Sequence, residues 1–388
     1  MKPLEGITVL DFSQFLAGPS AAMRLADLGA RVIKVENPKT GDNSRLLSLK
    51  NLCVDGDSVN FCAINRNKES FTANLKDEGD LGMVKKLVAQ ADVIIENFRP
   101  GIMEKFGLDY ESVRKLNKRI VYASVTGYGR EGPWKTKPGQ DLLIQSLTGV
   151  GYLNGNADQP PMPFGTSIAD MVAGTHMVEG ICACLIRRGK TGEGGYVEVS
   201  LMESLLCLQV EVMGVYLNNG RILPERGSFN NACVMQGAPY GIFRTKDSYL
   251  AISICPIDEL GKVIGCSELA GYTDKETWFT KRDEIKEVLE RHLETETTAY
   301  WVSVLEKTKY WFAEVLDWQM LFEHEAFKVL DFVQDIHRPG GEPLYTTRCP
   351  IRMDGKLLKS GKWAPMLGED TEKVIADFNL LSGEEKRS

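Results

Sequence analysis

Apolar and polar residues alternate along the first half of the chain in blocks that predict strands and helices in turn. Residues 7–13 form an apolar run typical of a buried strand, residues 18–30 have helical spacing and end in glycine, and residues 31–37 are again apolar. Strand, helix and strand in this order make a βαβ unit, whose crossover is almost always right-handed. The chain therefore opens with a parallel pair of strands.

The same alternation continues through residue 129. A helix is predicted over residues 80–91 from apolar positions three and four apart, and the run DVIIENF at 92–98 predicts the next strand. Residues 110–117 predict a short helix and residues 120–129 a further strand. Repeated βα units favour an α/β fold, a parallel sheet with helices on both faces.

The pattern changes after residue 200. Residues 201–219 predict one long helix, the polar stretch that follows is irregular, and residues 240–255 predict a hairpin that turns at Lys246 and Asp247. Residues 275–330 are predicted to be helical, and a last helix is predicted near residues 369–378. The predicted organisation is a large α/β domain at 1–200, a linker helix at 201–224, a small α+β domain at 225–330 and a returning segment at 331–388.

Composition excludes several classes of function. The 388 residues carry a formal net charge of −7 with no basic tract, which argues against a nucleic-acid-binding protein. No apolar run is judged long enough to span a bilayer, and the N-terminus has no signal-peptide pattern, so a cytoplasmic location is expected. The nine cysteines form no CxxC pair and the four histidines are scattered, so reduced thiols and no metal site are expected.

One carboxylate, Asp170, interrupts the apolar run IADMVAG at 168–174. Burial of a lone carboxylate is costly unless it is paired or used in chemistry. Its neighbours are small, so a ligand or a second backbone could approach closely. Two interpretations follow from these residues alone: a first-turn acid that interacts with the helix dipole, or a catalytic carboxylate.

Nucleotide motifs do not explain the first βαβ unit. Its turn reads FSQFLAGPSAA, which lacks the GxGxxG fingerprint of dinucleotide-binding folds. Glu36 ends the second strand, where such folds carry a ribose-binding acid, but without the glycines it is interpreted as a strand-end charge. A Walker A motif, a GxSxG motif and the kinase signatures are also absent from the sequence.

Several motifs together are more specific than any one of them. In chain order they are VLDFSQFLAGP, DLGARVIKVENP, NRNKESF, ENFRPGIMEKFGL, SVTGYGREGPW, the segment around Asp170, RRGKTGEGGYVEVSLMES and APMLGEDT. This series resembles the family III CoA-transferases, also called the CaiB/BaiF family, which include formyl-CoA and carnitine CoA-transferases. The related α-methylacyl-CoA racemases share it. The resemblance is strong over residues 1–205 and 364–378 and looser between 220 and 360.

The resemblance implies a nucleophilic role for Asp170. In these transferases the aspartate at this position attacks an acyl-CoA thioester, and an acyl-aspartyl anhydride and an aspartyl-CoA thioester follow before an acceptor carboxylate collects the CoA. Such covalent catalysis divides one difficult exchange into easier steps. The implied function is transfer of CoA from an acyl-CoA to a carboxylic acid.

The resemblance also implies a set of CoA contacts. They fall on a loop after the first strand, around the adenine and ribose, and at lysines near the phosphates: Phe15, Leu16, Ala17, Asn37, Ala73, Lys76, Asn97, Phe98, Lys105, Phe106 and Lys137. Lys105 stands where the family usually has arginine. Lysine would act on the phosphates as a point charge, without the two parallel hydrogen bonds that arginine can donate. Asn37 replaces an arginine that packs on adenine in formyl-CoA transferase, so the mode of adenine binding stays open.

Two positions bear on the type of reaction. The racemases carry histidine in a GHD triplet, whereas this chain has Gln140 before Asp141, and glutamine cannot exchange a proton near neutral pH. Gln140 is a candidate to hydrogen-bond a substrate or an oxyanion, and His176 is interpreted as structural. A transferase is therefore favoured, with a racemase or epimerase, or a CoA-binding protein without turnover, as alternatives.

The resemblance further implies an interlocked, ring-like homodimer, with each active site between the large domain of one chain and the small domain of the other. Acyl-CoA and carboxylic acids are the expected partners, and no cofactor beyond CoA is implied. Met235, Gln236 and Gly237 are expected near the acyl pocket, and Arg226 and Arg244 are candidates to meet the acceptor anion. The identity of the acids stays open.

Overall fold

The computed structural model describes residues 2–381, which form two compact units. One unit comprises the described residues up to Ile144, Ser167–Leu205 and the chain from Leu330 onward. The other comprises Gln145–Thr166 and Leu206–Val329.

The elements up to residue 200 alternate as the sequence pattern predicts. The strands are β1 (Thr8–Asp11), β2 (Arg31–Glu36), β3 (Cys53–Val54), β4 (Asp57–Ser58), β5 (Lys68–Thr72), β6 (Val93–Glu96), β7 (Val121–Thr126) and β8 (Gly195–Ser200). The helices are α1 (Ala17–Asp27), α2 (Val59–Asn65), α3 (Glu78–Val88), α4 (Tyr110–Leu116), α5 (Asp141–Leu147) and α6 (Ile168–Thr191).

Six of these strands form one sheet in the order β5-β2-β1-β6-β7-β8, with every neighbouring pair parallel. The mixed α/β fold expected from the sequence is confirmed. The strands β6 and β7 are buried at every position, because helices cover both faces of a parallel sheet. Strand β5, which the pattern did not predict, forms one edge of the sheet and carries Lys68.

The second unit holds a small antiparallel sheet surrounded by helices. Its elements, with the helix that leads into it, are α7 (Leu201–Leu208), α8 (Val210–Asn218), β9 (Gly241–Arg244), β10 (Tyr249–Ile252), α9 (Ile257–Ile264), α10 (Thr277–Thr280), α11 (Arg282–Leu293), α12 (Thr298–Leu305), β11 (Phe312–Glu314), α13 (Trp318–Glu323) and α14 (Glu325–Leu330). The hairpin of β9 and β10 is confirmed, with Phe243 opposite Leu250 in the core.

The prediction of one continuous linker helix at 201–224 is wrong. The helix breaks at Gln209, whose φ of −89° and ψ of 14° interrupt the ladder between α7 and α8. The compact units also differ from the predicted boundaries, because residues 145–166 belong with the second unit. Long-range hydrogen bonds explain this: Ala157 N–H donates to Gly227 O, and Asn231 Nδ2 donates to Leu153 O.

The tail adds strands that the turn-rich sequence did not predict. Its elements are β12 (Val333–Ile336), β13 (Leu344–Thr347), β14 (Arg352–Met353), β15 (Lys356–Leu357) and α15 (Thr371–Asp377). Helix α15 is confirmed. The N–H of Ser70 on β5 donates to the carboxylate of Asp370 just before α15, which holds the tail against the sheet edge. The predicted returning segment continues to residue 388, and its last seven residues lie outside the described residues.

Helix α6 corrects the expectation that no apolar run is long enough to span a bilayer. Its 24 residues are long and apolar enough to cross a membrane by length and composition alone. The core helices of soluble proteins can have the same length and composition. Helix α6 buries Ala173, Gly174, Met177 and Ile181 along one face. This helix carries Asp170 in its first turn.

Candidate active site

Asp170 lies in the first turn of α6, and a second carboxylate caps that turn. Ser167 at the N-cap position makes no side-chain cap. Instead, Asp141 Oδ1 at the start of α5 accepts hydrogen bonds from the N–H groups of Ala169 at 2.7 Å and Asp170 at 3.3 Å. Two backbone donors that a helix start leaves open are thereby satisfied from another element. The cap brings the two aspartates together.

The carboxyl of Asp170 is correspondingly hard to ionise. Burial raises its pKa to about 7, and the negative charge of Asp141 adds to this shift. Desolvation and a like charge both disfavour the ionised form. An aspartate with a pKa near neutrality is a more basic carboxylate than an exposed one, and such shifts concentrate at functional sites.

Gly174, one turn after Asp170, lets α1 approach α6 closely. A Cβ atom at Gly174 would lie 2.4 Å from Ser20 Oγ and 2.9 Å from the carbonyl oxygen of Ala17. Positions four apart share a helix face, so Asp170 lies on the face that meets the N-terminal end of α1. The first turn of α1, which follows the loop singled out from the sequence, therefore packs on α6 one turn after Asp170.

That loop has a strained conformation at Phe15, whose φ is 67°. Left-handed backbone is unusual for a bulky aromatic residue and costs of the order of 1–3 kcal/mol. Phe15 is 48% exposed although it is large and apolar. Leu16 follows at the N-cap position of α1, and Ala17 is its first, buried residue. The strain therefore lies in the segment that leads into α1.

A cavity of about 250 Å³ opens at the carboxyl ends of β1, β2 and β5. Ligands in open α/β sheets commonly bind at this edge. Five residues expected to contact CoA line it: Asn37, Ala73, Lys76, Phe98 and Phe106. The charged side chains of Lys34, Glu36 and Asp42 line it as well. Folding thus gathers residues from separate stretches of the sequence around one space.

Glu36 is accounted for without a nucleotide ligand. Its carboxylate accepts hydrogen bonds from Arg45 Nη2 at 2.8 Å and from Ser70 Oγ at 2.8 Å. Burial alone would raise its pKa, but Arg45 and Lys34 outweigh it and lower the pKa. The interpretation of Glu36 as a charge at the end of a strand agrees with these contacts.

Comparison with known proteins identifies the chain. The model of CoA-transferase family III matches residues 4–371. The chain belongs to this family. It is 31% identical over 386 residues to a mouse succinyl-CoA:glutarate CoA-transferase, covering 97% of this chain and 86% of that one. It is 36% identical over 313 residues to an acetyl-CoA:oxalate CoA-transferase from Acetobacter aceti, covering 79% and 78%.

A solved structure supports the assignment to family III. A CaiB/BaiF family protein from Brucella suis superposes with a TM-score of 0.83 at 31% identity, covering 97% of this chain and 99% of the other. The resemblance inferred from the motifs is therefore confirmed over nearly the whole chain.

The remaining residues carried over from family III lie outside the cavity lining. Asn97 directs its side chain to the loop before α1: Oδ1 accepts from Gln14 N–H at 2.9 Å and Nδ2 donates to Gln14 O at 2.7 Å. Lys105 is exposed on a single 3-10 turn at Met103–Phe106. A direct contact of Asn97 or Lys105 with CoA stays a prediction.

Lys137 and Gln140 belong to a surface loop between β7 and α5. The loop closes where Gly127 and Gly139 touch, since a Cβ on Gly139 would lie 2.5 Å from the Cα of Gly127. Lys137 Nζ lies 5.7 Å from the centre of the Trp134 ring, a cation–π contact. Gln140 is exposed, and its carbonyl accepts the N–H of Ile144. Its expected oxyanion role stays a prediction.

The two candidates for an acceptor-binding cation differ in how far they are engaged by other groups. Arg226 donates to the carbonyl oxygens of Asn154, Gln159 and Pro160, so its guanidinium holds a neighbouring loop. Arg244 is exposed and lies 4.0 Å from Glu294. An anion would have to compete with three carbonyl groups at Arg226.

The segment expected near the acyl pocket, residues 235–237, packs against the backbone of neighbouring residues. Gly237 fits against the backbone of Trp278, where a Cβ would lie 2.8 Å from the carbonyl oxygen. Gln236 N–H donates to Cys233 O, which forms a turn beside Met235. These contacts leave the role of the segment in acyl binding a prediction.

His176, interpreted from the sequence as structural, has a side-chain partner on another helix. Its Nδ1 lies 3.1 Å from Ser204 Oγ on α7. The residue that sequence reasoning missed is Asp141, which was noted only as the last member of the GQD triplet. No local signal could identify its role, since its partners Ala169 and Asp170 lie 28 and 29 positions further along the chain.

Proposed function

We propose that the protein transfers CoA from an acyl-CoA to a carboxylic acid, with Asp170 as the nucleophile. The observation that carries this proposal is the partly buried Asp170 carboxyl, with its pKa raised to about 7, one turn before the point where α6 meets the first turn of α1. Membership of family III supports the same reaction, as do relatives named for succinyl-CoA, acetyl-CoA and formyl-CoA exchange.

The steps conserve bonds and charge. A carboxylate oxygen of Asp170 attacks the thioester carbonyl, the C–S bond breaks, and a mixed anhydride and the CoA thiolate result. The thiolate attacks the aspartyl carbonyl, which releases the donor acid and leaves an aspartyl-CoA thioester. The acceptor carboxylate attacks this thioester, and the thiolate then takes the acyl group from the new anhydride, restoring Asp170. Water must stay out, because it would hydrolyse each intermediate.

The cavity lined by Asn37, Ala73 and Phe98 is proposed to receive the nucleotide end of CoA. Lys76, Lys105 and Lys137 are exposed, and their charges suit the phosphates of CoA. The pantetheine arm would then pass along residues 15–17 toward Asp170. No cofactor beyond CoA is needed for these steps, and we expect a cytoplasmic location.

The direct test is a search for the covalent intermediate. The protein is incubated separately with succinyl-CoA, acetyl-CoA and oxalyl-CoA, quenched with hydroxylamine or borohydride, and digested for mass spectrometry. A modification on Asp170 is the expected result. Absence of any adduct, together with entry of deuterium at the α-carbon of a chiral acyl-CoA, would favour the racemase alternative instead.

The rate of adduct formation is expected to rise with pH and level off above about pH 7. The reason is that only the ionised carboxyl attacks, and the pKa of Asp170 is raised to about 7. Single-turnover quenched flow between about pH 5.5 and 9 measures the profile.

A matched variant, Asp141→Asn, tests the cause of the raised pKa of Asp170. It keeps an oxygen that can cap α6 but removes the charge that raises the pKa of Asp170, so the profile should move to lower pH. A profile that is flat in the native protein would show that ionisation of Asp170 does not limit the attack.

An interlocked homodimer is proposed as the working assembly. Helix α6 leaves Met171 and Ile186 42% and 67% exposed, although both are large and apolar. A second copy would cover such positions, since exposed apolar area favours association. Light scattering at micromolar concentration should give twice the mass of the 43.2 kDa chain. A mass of one chain under these conditions would contradict the proposal.

A further inference from the structure

The strained peptide at Phe15 is held by side chains from other elements. Phe15 has a φ of 67°, and the loop that contains it, residues 13–16, joins β1 to α1. An unsupported loop would relax such a residue to negative φ, because left-handed backbone is disfavoured for side chains with a Cβ. The contacts around Phe15 must therefore supply the restraint.

Asn97, which follows β6, binds both polar groups of the preceding residue. Its Oδ1 accepts the N–H of Gln14 at 2.9 Å, and its Nδ2 donates to the carbonyl oxygen of Gln14 at 2.7 Å. Two bonds from one planar amide fix the position and the orientation of the Gln14 backbone. The rotation that leads into Phe15 is thereby restricted.

Asp42 binds the next peptide. Its Oδ1 accepts the N–H of Phe15 at 3.2 Å, and its Oδ2 forms an ion pair with Lys34 Nζ at 2.8 Å. Burial alone would raise the pKa of Asp42, but the charge of Lys34 outweighs it and lowers the pKa, so the acceptor is ionised. Lys34 Nζ in turn donates to the carbonyl oxygen of Ser13 at 2.7 Å. Both Asp42 and Lys34 are buried.

We propose that Asn97 and Asp42 are positioning residues, which hold Phe15 in the left-handed conformation and thereby align the loop before α1 with Asp170. The proposal rests on the CoA-transfer function proposed above and gives Asn97 a role other than direct contact with CoA. Loop 13–16 leads directly into Ala17, whose carbonyl oxygen packs against Gly174 of α6, one turn after Asp170. An error in the loop would therefore misplace the thioester. Small misplacements of a reacting group are costly in rate.

The test is a double-mutant cycle of Asn97→Ala and Phe15→Gly. Glycine adopts a φ of 67° without strain, so it no longer needs to be held there. Asn97→Ala alone should slow adduct formation on Asp170 about 10- to 100-fold. In the Phe15→Gly background the same change should cost less than about 3-fold, measured against Phe15→Gly itself.

A matched control is Asn117→Ala. Asn117 also binds backbone through its amide, with Nδ2 donating to Val88 O and Ala91 O, but these contacts lie away from loop 13–16. Its effect should be the same in the native and the Phe15→Gly backgrounds, without the coupling expected for Asn97. An equal cost of Asn97→Ala in both backgrounds would overturn positioning and favour direct contact with CoA.

Hydrogen exchange without substrate separates this proposal from the proposed function. Asn97→Ala should increase the exchange rate of the Gln14 and Phe15 amides at least about tenfold, while the amides of β7 keep their protection. Unchanged exchange at Gln14 and Phe15 would overturn positioning even if CoA transfer is normal. Faster exchange in a protein that forms no adduct with any acyl-CoA would uphold the positioning of the loop and refute the reaction.

Discussion

Asp170→Asn is expected to lower CoA transfer at least about a thousand-fold and to abolish the covalent adduct. Asparagine has the size of aspartate, but its neutral amide cannot form an acyl anhydride with a thioester. The measurement is steady-state transfer between an acyl-CoA and a free acid, together with mass spectrometry of quenched protein. Transfer within about tenfold of the native rate would refute Asp170 as the nucleophile.

Glu179→Gln is the matched control, since it removes an exposed carboxylate from the same helix. It should leave the rate and the adduct unchanged. If both variants lost activity equally, a general effect of charge on α6 would explain the loss, and the nucleophilic role would not.

The stability of Asp170→Asn provides a second, independent readout. The folded-state pKa is raised from 3.8 to about 7, so between these values the folded chain keeps a proton that the unfolded chain has lost. The free energy of unfolding of the native protein therefore falls as pH rises from about 4 to 7. Asparagine avoids this loss, so the variant should be more stable at about pH 8, by up to about 4 kcal/mol, and equal near pH 4.

Lys68→Met is expected to lower the free energy of unfolding by about 3–5 kcal/mol, because it leaves a buried carboxylate with less compensation. Lys68 and Asp11 are completely buried and form an ion pair at 2.8 Å. Burial alone would raise the pKa of Asp11, but Lys34 and Lys68 outweigh it and lower the pKa. Lys68 Nζ also donates to Pro19 O in α1, so the pair joins strand and helix. Urea denaturation measures the loss.

Two controls separate this effect from a general loss of charge. Lys328→Met breaks an exposed pair with Glu325 and should change stability by less than about 0.5 kcal/mol. Adding Asp11→Asn to Lys68→Met should recover part of the loss, because the buried carboxylate that lost its partner is then neutral. A loss no larger than that of Lys328→Met would show that the buried pair contributes nothing net.

The sequence by itself determined the parallel sheet and the family. Strands such as β6 and β7 are short apolar runs bounded by helical spacing, a pattern that needs no long-range information. The single helix predicted across Gln209 failed, because helical propensity is continuous there and the break appears only in the folded backbone. Strand β5 was missed, since KESFT is mostly polar and the residues that bury it lie far away in the chain.

Asp170 could be singled out from its apolar surroundings, but its chemistry could not be derived from them. Its raised pKa depends on burial and on Asp141, 29 positions away, and the packing of α1 one turn after it depends on Gly174 meeting Ala17. The hold of Asn97 and Asp42 on the loop at Phe15 is equally non-local. Motif and periodicity therefore determined the fold class and the candidate nucleophile. The pKa of Asp170 and the conformation of the loop at Phe15 were decided only by tertiary structure, because electrostatic and hydrogen-bond partners are neighbours in space and not in sequence.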